Sequence, residues 1–148
     1  MAEMSVLARI AALVCPPELA GPGSRTTLLH DVQLHLDCLP PLPRRTVGPT
    51  LLLFDQAARL RPGSRGRRFV RLDDARADAY LRHVLYRRTG PVATVVRLVK
   101  GLVVLCYYEL PEVKAALGYD PDSWVAEVTA RRLVRHGPAI HAAEQAEP

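Results

Sequence analysis

The chain has 148 residues, which is the length of one ordinary domain and leaves little room for two that fold independently. Its 49% hydrophobic and 24% charged residues are typical of a soluble folded protein and exclude an intrinsically disordered chain. The formal net charge is +5, and it is concentrated in one segment, because residues 61–88 alone carry a charge of +6.

Apolar residues recur at intervals of three and four, with almost no alternation of period two. This pattern predicts an all-α fold, a compact bundle of five to six helices in a single domain over residues 1–136. The first helix is expected from about Ala2 to Val14, because Pro16 and Pro17 lack the amide donor that would continue it. The second is expected from Ser24, as its N-cap, to about Leu39.

The middle of the chain predicts two helices separated by a basic loop. The third helix runs roughly from Pro49 to Leu60, since proline is tolerated in the first turn of a helix. Residues 61–68 then form an exposed loop rich in arginine and glycine. The fourth helix starts after Asp73, which is suited to cap its first amides. The fourth helix carries its apolar residues at clean helical spacing: Ala77, Tyr80, Leu81, Val84 and Leu85.

The fifth helix, from Pro91 to about Glu109, is apolar around nearly its whole circumference, which predicts a central position or cover by another protein. Its least apolar stripe contains Thr94, Arg97, Gly101 and Val104. We expect no membrane span, because Arg97 and Lys100 interrupt an apolar run that is shorter than the roughly 20 residues a bilayer crossing needs.

The last part of the chain predicts one short helix and a tail. Pro111 begins the short helix and Gly118 ends it, since glycine readily adopts the left-handed conformation of a helix C-terminus. An amphipathic stretch follows over residues 126–135. Residues 137–148 are small and polar, and we expect them to form an irregular, flexible tail.

The cysteines Cys15, Cys38 and Cys106 lie far apart without a CxxC pair. This arrangement argues against a zinc knuckle or a disulfide framework and predicts reduced, mostly buried thiols. The N-terminal residues show no cleavage motif of an export signal, so we expect a cytoplasmic protein.

Few side chains are candidates for chemistry. Asp31, His35 and Cys38 share one edge of the second helix and could offer three metal ligands, but no second ligand pair has metal-site spacing, which favours a polar helix margin. The loop 63–66 has the glycines of an anion-binding nest, without the ending of a phosphate loop or a preceding strand. His83 lies between arginines and reads as a solvated side chain. We therefore predict no catalytic residue, no bound cofactor and no metal.

The basic segment 61–88 raises the alternative of a nucleic-acid-binding protein, since a charge of +6 could follow a phosphate backbone. The segment lacks interleaved exposed aromatic residues, because Phe69 and Tyr80 have the spacing of core residues. No helix-turn-helix signature is convincing, and acidic residues lie within the patch.

Residues 97–121 carry the most specific pattern in the chain. An apolar helix ends in a tyrosine pair, a proline begins a short helix, and a Leu-Gly-Tyr sequence closes it. The residues that carry this pattern are Tyr107, Tyr108, Pro111, Leu117, Gly118 and Tyr119. The segment resembles the small (gamma) subunit of bacterial FAD-dependent membrane dehydrogenases, the gluconate 2-dehydrogenase subunit 3 family. It is also similar to the N-terminal region of long-chain alcohol oxidases, which carry a flavin domain of the glucose-methanol-choline (GMC) type downstream.

The resemblance covers about residues 3–121 and implies a non-catalytic subunit that binds and stabilises a separate flavoprotein. That partner, a GMC-type oxidoreductase, would hold the FAD and the catalytic residues. We expect the partner interface to include the six residues of the pattern together with Trp124, because large aromatic side chains are favoured in buried interface cores. The alternative is a basic helical adaptor that binds nucleic acid or has a regulatory role.

Overall fold

The computed structural model of the chain describes residues 2–21, 23–87 and 89–146, and within them it contains seven α-helices and no strand. The predicted all-α class is confirmed. The helices are α1 (Ala2–Val14), α2 (Ser24–Asp37), α3 (Pro41–Ala57), α4 (Asp74–Arg87), α5 (Pro91–Glu109), α6 (Pro111–Leu117) and α7 (Pro121–Ala146). Three short 3-10 helices lie at Pro17–Leu19, Ala58–Leu60 and Phe69–Arg71.

The chain divides into two compact units, Met1–Val113 and Lys114–Pro148. In the first unit, α5 contacts α1, α2, α3 and α4, so the most apolar helix has the central position that its sequence predicts. Valines supply its inner face, and Val96, Val99 and Val103 are fully buried. Burial of this face is the main stabilising contribution of α5, because each buried valine is worth about 1.5 to 3 kcal/mol.

An aromatic cluster holds α3, α4 and the 3-10 helix Phe69–Arg71 together. The rings of Phe54 and Phe69 meet edge to face at 4.8 Å, and Phe54 stacks on Tyr80 at 4.9 Å. The Tyr80 hydroxyl donates to the Phe54 carbonyl at 2.9 Å, so its buried polar end is satisfied. Next to this cluster, the buried Asp55 carboxylate accepts a hydrogen bond from the Val70 amide at 3.0 Å, which fixes the end of the basic loop to α3.

Several helix boundaries follow the sequence prediction closely. The bounds of α1 and α5 are as predicted. The Asp73 carboxylate accepts a hydrogen bond from the Arg76 amide at 3.0 Å, which is the N-cap expected for α4. Gly118 follows α6 with φ +63°, the left-handed conformation expected where that helix ends.

The prediction for the third helix was wrong at its start. The structure begins α3 at Pro41 and places Pro49 inside the helix. Pro41 and Pro43 are tolerated because the first helical amides have no intrahelical acceptor. An interior proline costs about 3 kcal/mol, and burial of Val47, Leu51 and Phe54 on both sides of Pro49 offsets that cost.

The predicted capping role of Ser24 was also wrong. Gly23, with φ +93°, occupies the N-cap position, and Ser24 is the first residue of α2. The Ser24 side chain is buried and makes no capping hydrogen bond. The helix α2 packs against the core through an apolar stripe, since Leu28, Val32 and Leu36 are all buried.

In the second unit, α7 continues through Gly137 and Pro138 to Ala146, where the sequence predicted an irregular tail from residue 137. Proline fixes a φ compatible with a helix, so the helical path continues past Pro138, although an interior proline costs about 3 kcal/mol here as it does at Pro49. Residues 147 and 148 of the predicted tail lie outside the described residues.

By length and composition, the helix α5 is long and apolar enough to cross a membrane, and 33% of its apolar 18-residue stretch is buried inside the protein. The same test is passed by core helices of soluble proteins, and α5 contacts four other helices. The absence of a membrane span therefore stays a prediction from the charged residues within α5.

Candidate partner interface

The central helix α5 leaves one face uncovered, and that face is apolar. Leu105 is 52% exposed and Tyr108 is 47% exposed, and Leu98 is exposed one turn before Gly101. Spacings of three, four and three residues place Leu98, Gly101, Leu105 and Tyr108 on one side of the helix. We call these four residues the α5 stripe. The sequence analysis named Thr94, Arg97, Gly101 and Val104 as the least apolar stripe of this helix, and only Gly101 belongs both to that stripe and to the α5 stripe.

Gly101 leaves open space at the centre of the α5 stripe. A Cβ atom added there would meet no heavy atom within 4 Å, so the packing of this chain does not require a glycine. Its φ is not in the left-handed region, so the backbone does not require one either. Glycine inside a helix costs roughly 0.5 to 1 kcal/mol relative to alanine. A glycine at such a site permits close approach of another backbone from outside.

The α5 stripe borders a cleft of about 310 Å³ between α2 and α5. Leu34 of α2 is 50% exposed and lines this cleft together with Leu105. Asp31 and Glu109 also line it, so two acidic residues accompany the apolar ones. The arrangement suits a partner segment that brings apolar side chains together with lysine or arginine.

The same cleft contains His35 and Cys106. The imidazole of His35 and the thiol of Cys106 lie next to each other there. The His35 Nδ1 atom lies 3.7 Å from the Cys106 sulfur and 2.8 Å from the Asp31 carbonyl oxygen. A carbonyl oxygen can only accept a hydrogen bond, so the Nδ1 atom of His35 carries a hydrogen and donates a hydrogen bond to the Asp31 main-chain carbonyl. This nitrogen is therefore unable to accept the thiol proton. Burial raises the pKa of the Cys106 thiol further, which disfavours the thiolate.

The proposed metal-ligand set does not come together. Among the described residues there is no group of three His, Cys, Asp or Glu side chains suited to hold a metal ion. His35 turns back to the Asp31 main chain, and Cys38 lies beyond the last residue of α2. These residues thus form the polar helix margin that the sequence analysis favoured.

The two tyrosines at the end of α5 have different environments. Tyr107 is 2% exposed, its hydroxyl donates to the Pro16 carbonyl, and burial raises the pKa of that hydroxyl. Tyr108 meets the Tyr107 ring edge to face at 5.4 Å and remains half exposed. Tyr107 is therefore a core residue of this chain and Tyr108 a surface residue, although the sequence assigned both to the interface.

The other predicted interface residues all lie at the surface. Pro111 is exposed at the start of α6, and Leu117, Gly118 and Tyr119 are exposed where α6 ends. The Tyr119 amide donates to the Lys114 carbonyl at 2.9 Å, which fixes the left-handed turn at Gly118. Trp124, on the first turns of α7, is 62% exposed.

Sequence reasoning missed further apolar side chains at the surface. In the first unit they include Leu34, Leu42, Leu60, Leu98 and Leu105, and in α7 they include Val125, Leu133 and Val134. The signal for the α5 residues was present, since a helix that is apolar all round has more apolar faces than four neighbours can cover. For α7 the signal was weaker, because Leu133 and Val134 lie between the arginines Arg132 and Arg135.

The basic segment also contains an exposed aromatic residue that the sequence analysis did not identify. Phe69 and Tyr80 are buried as predicted, but Tyr86 is 73% exposed. Part of the positive charge is paired, because Arg76 contacts Asp73 at 2.7 Å and Arg82 contacts Asp78 at 2.8 Å. The surface of α4 therefore has less free charge than the sequence total indicates.

The loop 63–66 adopts left-handed φ values at Gly63, Arg65 and Gly66, as a nest requires. One of its amides is already used, because the Ser64 amide donates to the Arg61 carbonyl, and the amide of Arg67, which follows the loop, donates to the Ser64 carbonyl. The Ser64 hydroxyl donates to the Arg59 carbonyl at 3.0 Å. The loop is thus held by its own hydrogen bonds, and these account for its backbone shape.

The thiols differ in exposure more than the sequence predicted. All three cysteines are free, with Cys106 buried, Cys15 half-buried and Cys38 exposed. Burial raises the pKa of Cys15 to about 11. The expectation of mostly buried thiols is therefore wrong for Cys38, which lies just after α2 on its solvent side.

Comparison of the chain with protein-family models, with curated proteins and with solved structures finds no match.

Proposed function

We propose that the chain is a non-catalytic small subunit that binds and stabilises a separate FAD-dependent oxidoreductase of the GMC type. The FAD and the catalytic residues belong to that partner. The observation that carries the proposal is the exposure of large apolar side chains in the segment that the resemblance singles out, namely Tyr108, Leu117, Tyr119 and Trp124. Leu117, Tyr119 and Trp124 lie close together along the chain of the second unit, and clusters of exposed apolar side chains are typical of protein interaction sites.

The α5 stripe gives the proposal support that is independent of the resemblance. It offers apolar side chains on both sides of Gly101, and the cleft beside it adds Leu34. An interface core of this kind excludes water around a few anchors, which then account for most of the binding free energy. Tyr108 is the one residue that belongs both to the stripe and to the sequence pattern.

A subunit of this kind should depend on its partner. Binding to the folded form stabilises it by mass action, so coexpression should raise the soluble yield of both chains. The isolated subunit, with its apolar surface uncovered, should be poorly soluble or unstable. A monodisperse, thermally stable chain that is unaffected by the flavoprotein would contradict this expectation.

Copurification tests the proposal directly. The tagged chain should be expressed together with the products of its neighbouring genes, and the affinity-purified material should show flavin absorbance from a bound flavoprotein. Trp124→Ala should weaken the association by about 2 kcal/mol or more, which is about 30-fold, while its melting curve stays like that of the wild type. Tyr108→Ala should act in the same direction.

Tyr86→Ala is the matched control, because it also removes an exposed tyrosine from a helix, outside the proposed interface. Its affinity for the flavoprotein should equal that of the wild type. If the tagged chain elutes from the affinity column alone and without flavin colour, the proposal is wrong. Lost melting stability with unchanged affinity per folded molecule would assign Trp124 to the folding of this chain instead.

The exposed Tyr86 within the basic segment favours a second candidate, a nucleic-acid-binding or regulatory adaptor. Arg65 and Arg67 are exposed on the neighbouring loop and make no ion pair within the described part of the chain. A salt-dependent shift of duplex DNA that is lost in Tyr86→Ala and in Arg65→Ser would support this candidate. Trp124→Ala should leave that shift unchanged.

A further inference from the structure

A cavity of about 240 Å³ lies within the first unit, apart from the proposed partner surface. It is bordered by the end of α1, the turn after it, the start of α2 and the end of α5. Its lining is mostly apolar, and the buried residues in it are Ala11, Ser24, Leu28, Tyr107 and Leu110. This volume is below the roughly 300 to 1,000 Å³ of sites for drug-sized ligands, so the cavity suits only a smaller organic molecule.

Ser24 is the unusual member of this lining. It is only 3% exposed, and its hydroxyl has no hydrogen-bond partner in the described part of the chain. A buried hydroxyl without a partner costs roughly 1 to 3 kcal/mol. The hydroxyl was expected to cap α2, and Gly23 has taken that position, so the local fold does not explain the buried serine.

The other polar groups of the cavity are already used or weak. The Tyr107 hydroxyl donates to the Pro16 carbonyl, and the Arg25 guanidinium donates to the Ala8 carbonyl at 2.9 Å. Cys15 offers a thiol, which is a poor hydrogen-bonding group. Among the buried side chains that line the cavity, Ser24 is the one whose polar atom makes no hydrogen bond within the described part of the chain.

Charge around the cavity is balanced. Arg25 lines it, and the Glu112 carboxylate lies close to Gly21 on the same side, within 3.8 Å of where a Cβ of residue 21 would stand. A charged ligand would thus gain little from the surroundings and would lose its hydration on burial.

We propose that this cavity binds an uncharged, mostly apolar molecule with one hydrogen-bonding group, and that the Ser24 hydroxyl holds that group. The apolar part of the ligand contacts Ala11, Leu28 and Leu110. The polar group of the ligand either accepts a hydrogen bond from the Ser24 hydroxyl or donates one to its oxygen. Either bond gives the buried hydroxyl a partner. The proposal does not depend on the flavoprotein partner, because every residue that it uses lies in the first unit.

The test uses the full chain with 1-octanol as the probe and octanoate as its charged counterpart. Octanol should shift the backbone amide NMR signals of Ala11, Gly21 and Leu28 in a saturable manner. Ser24→Ala should weaken octanol binding about fivefold, the loss expected for one neutral hydrogen bond. Ser123→Ala, an exposed serine in the second unit, serves as the control and should bind octanol like the wild type.

A second measurement in the unmodified chain does not depend on the folding of a variant. Octanol should slow alkylation of Cys15, which lines the cavity, and leave that of the exposed Cys38 unchanged. Octanoate should bind more weakly than octanol. The proposal is overturned if octanol gives no saturable shifts and no protection of Cys15. It is overturned equally if Ser24→Ala binds octanol as tightly as the wild type.

Discussion

The first unit buries most of its aromatic side chains, Tyr86 and Tyr108 excepted, whereas the described aromatic side chains of the second unit are exposed. In the first unit, Phe54, Phe69 and Tyr80 form one buried cluster with ring centroids 4.8 to 6.0 Å apart. In the second unit, Tyr119 and Trp124 are 59% and 62% exposed. No described side chain between residues 114 and 139 is buried, whereas the first unit has a continuous core.

This difference shows what the stability of each unit depends on. The first unit buries enough apolar surface to account for its own fold, and its central helix has four neighbours. The second unit has a helix of 26 residues whose described apolar side chains remain at the surface. Most helical stability in proteins comes from packing of an apolar face, so α7 is the element whose stability gains most from an added partner.

The largest expected effect tests the first half of this comparison. Phe54→Ala removes the ring that contacts both Phe69 and Tyr80, and it should lower the free energy of unfolding by about 3 to 5 kcal/mol. Denaturant titration of the isolated chain, or of the coexpressed complex if the chain alone is insoluble, measures the change.

Trp124→Ala provides the matched substitution in the second unit and should stay within about 0.5 kcal/mol of the wild type. Equal losses from Phe54→Ala and Trp124→Ala would break the comparison, because they would give the exposed tryptophan the same role in folding as the buried phenylalanine.

The sequence predicted most of the first unit because local signals there agree with tertiary packing. Proline pairs, the Asp73 cap and the apolar periodicity of α1 and α5 lead to the observed bounds. The prediction for the start of α3 failed because three prolines within nine residues normally indicate a break in a helix. Only the burial of Val47 and Leu51 on either side of Pro49 shows why the helix continues.

The candidate interface was predictable in its position along the chain and less so in its residues. The aromatic pattern singled out Tyr107 and Tyr108 together. Adjacent residues on a helix point in different directions, so only one of the two tyrosines faces the core. Which one is buried depends on the turn at Pro16, which supplies the acceptor for Tyr107. The serine in the cavity was not predictable as a site, since its sequence context favours a helix cap.

Substitutions at two glycines test the comparison of the two units through expected stability changes of about 1 kcal/mol. Gly118 has φ +63°, so Gly118→Val should destabilise the end of α6 by about 1 to 2 kcal/mol through backbone strain. Gly101 has open space and lies inside α5, so Gly101→Ala should stabilise the first unit by about 0.5 to 1 kcal/mol. Melting curves of the two variants, compared with that of the wild type, measure both changes.

The Gly101 variant also bears on the partner surface. If another backbone approaches the α5 stripe closely, the added methyl group should weaken flavoprotein binding even though the free chain becomes more stable. Loss of stability in Gly101→Ala would contradict the open space at this position. Unchanged stability in Gly118→Val would show that the left-handed turn is not maintained in solution.

The smallest expected effect concerns two aspartates that cap one helix in each unit. Hydrogen bonding from the Arg76 amide lowers the pKa of Asp73, and hydrogen bonding from the Ser123 amide lowers the pKa of Asp120. Both side chains cap by the same geometry, with amide-to-carboxylate distances of 3.0 and 3.2 Å. NMR titration of the carboxyl carbons should therefore give both residues a pKa below the ordinary value of 3.8.

A pKa that is lower in the folded state than in the unfolded state means that the charged cap stabilises the fold above the unfolded value, and that this stabilisation is lost as the pH falls through the folded value. Asparagine caps a helix comparably well but does not titrate. In Asp120→Asn the acid-induced loss of helical circular dichroism below about pH 4 should therefore shrink. Asp73→Asn should shrink it less, because tertiary contacts to α1, α5 and the 3-10 helix Phe69–Arg71 hold α4 in place whether or not its cap is charged. An equal effect of the two substitutions would show that α7 is as firmly held as α4, and the contrast between the units would then not extend to their helices.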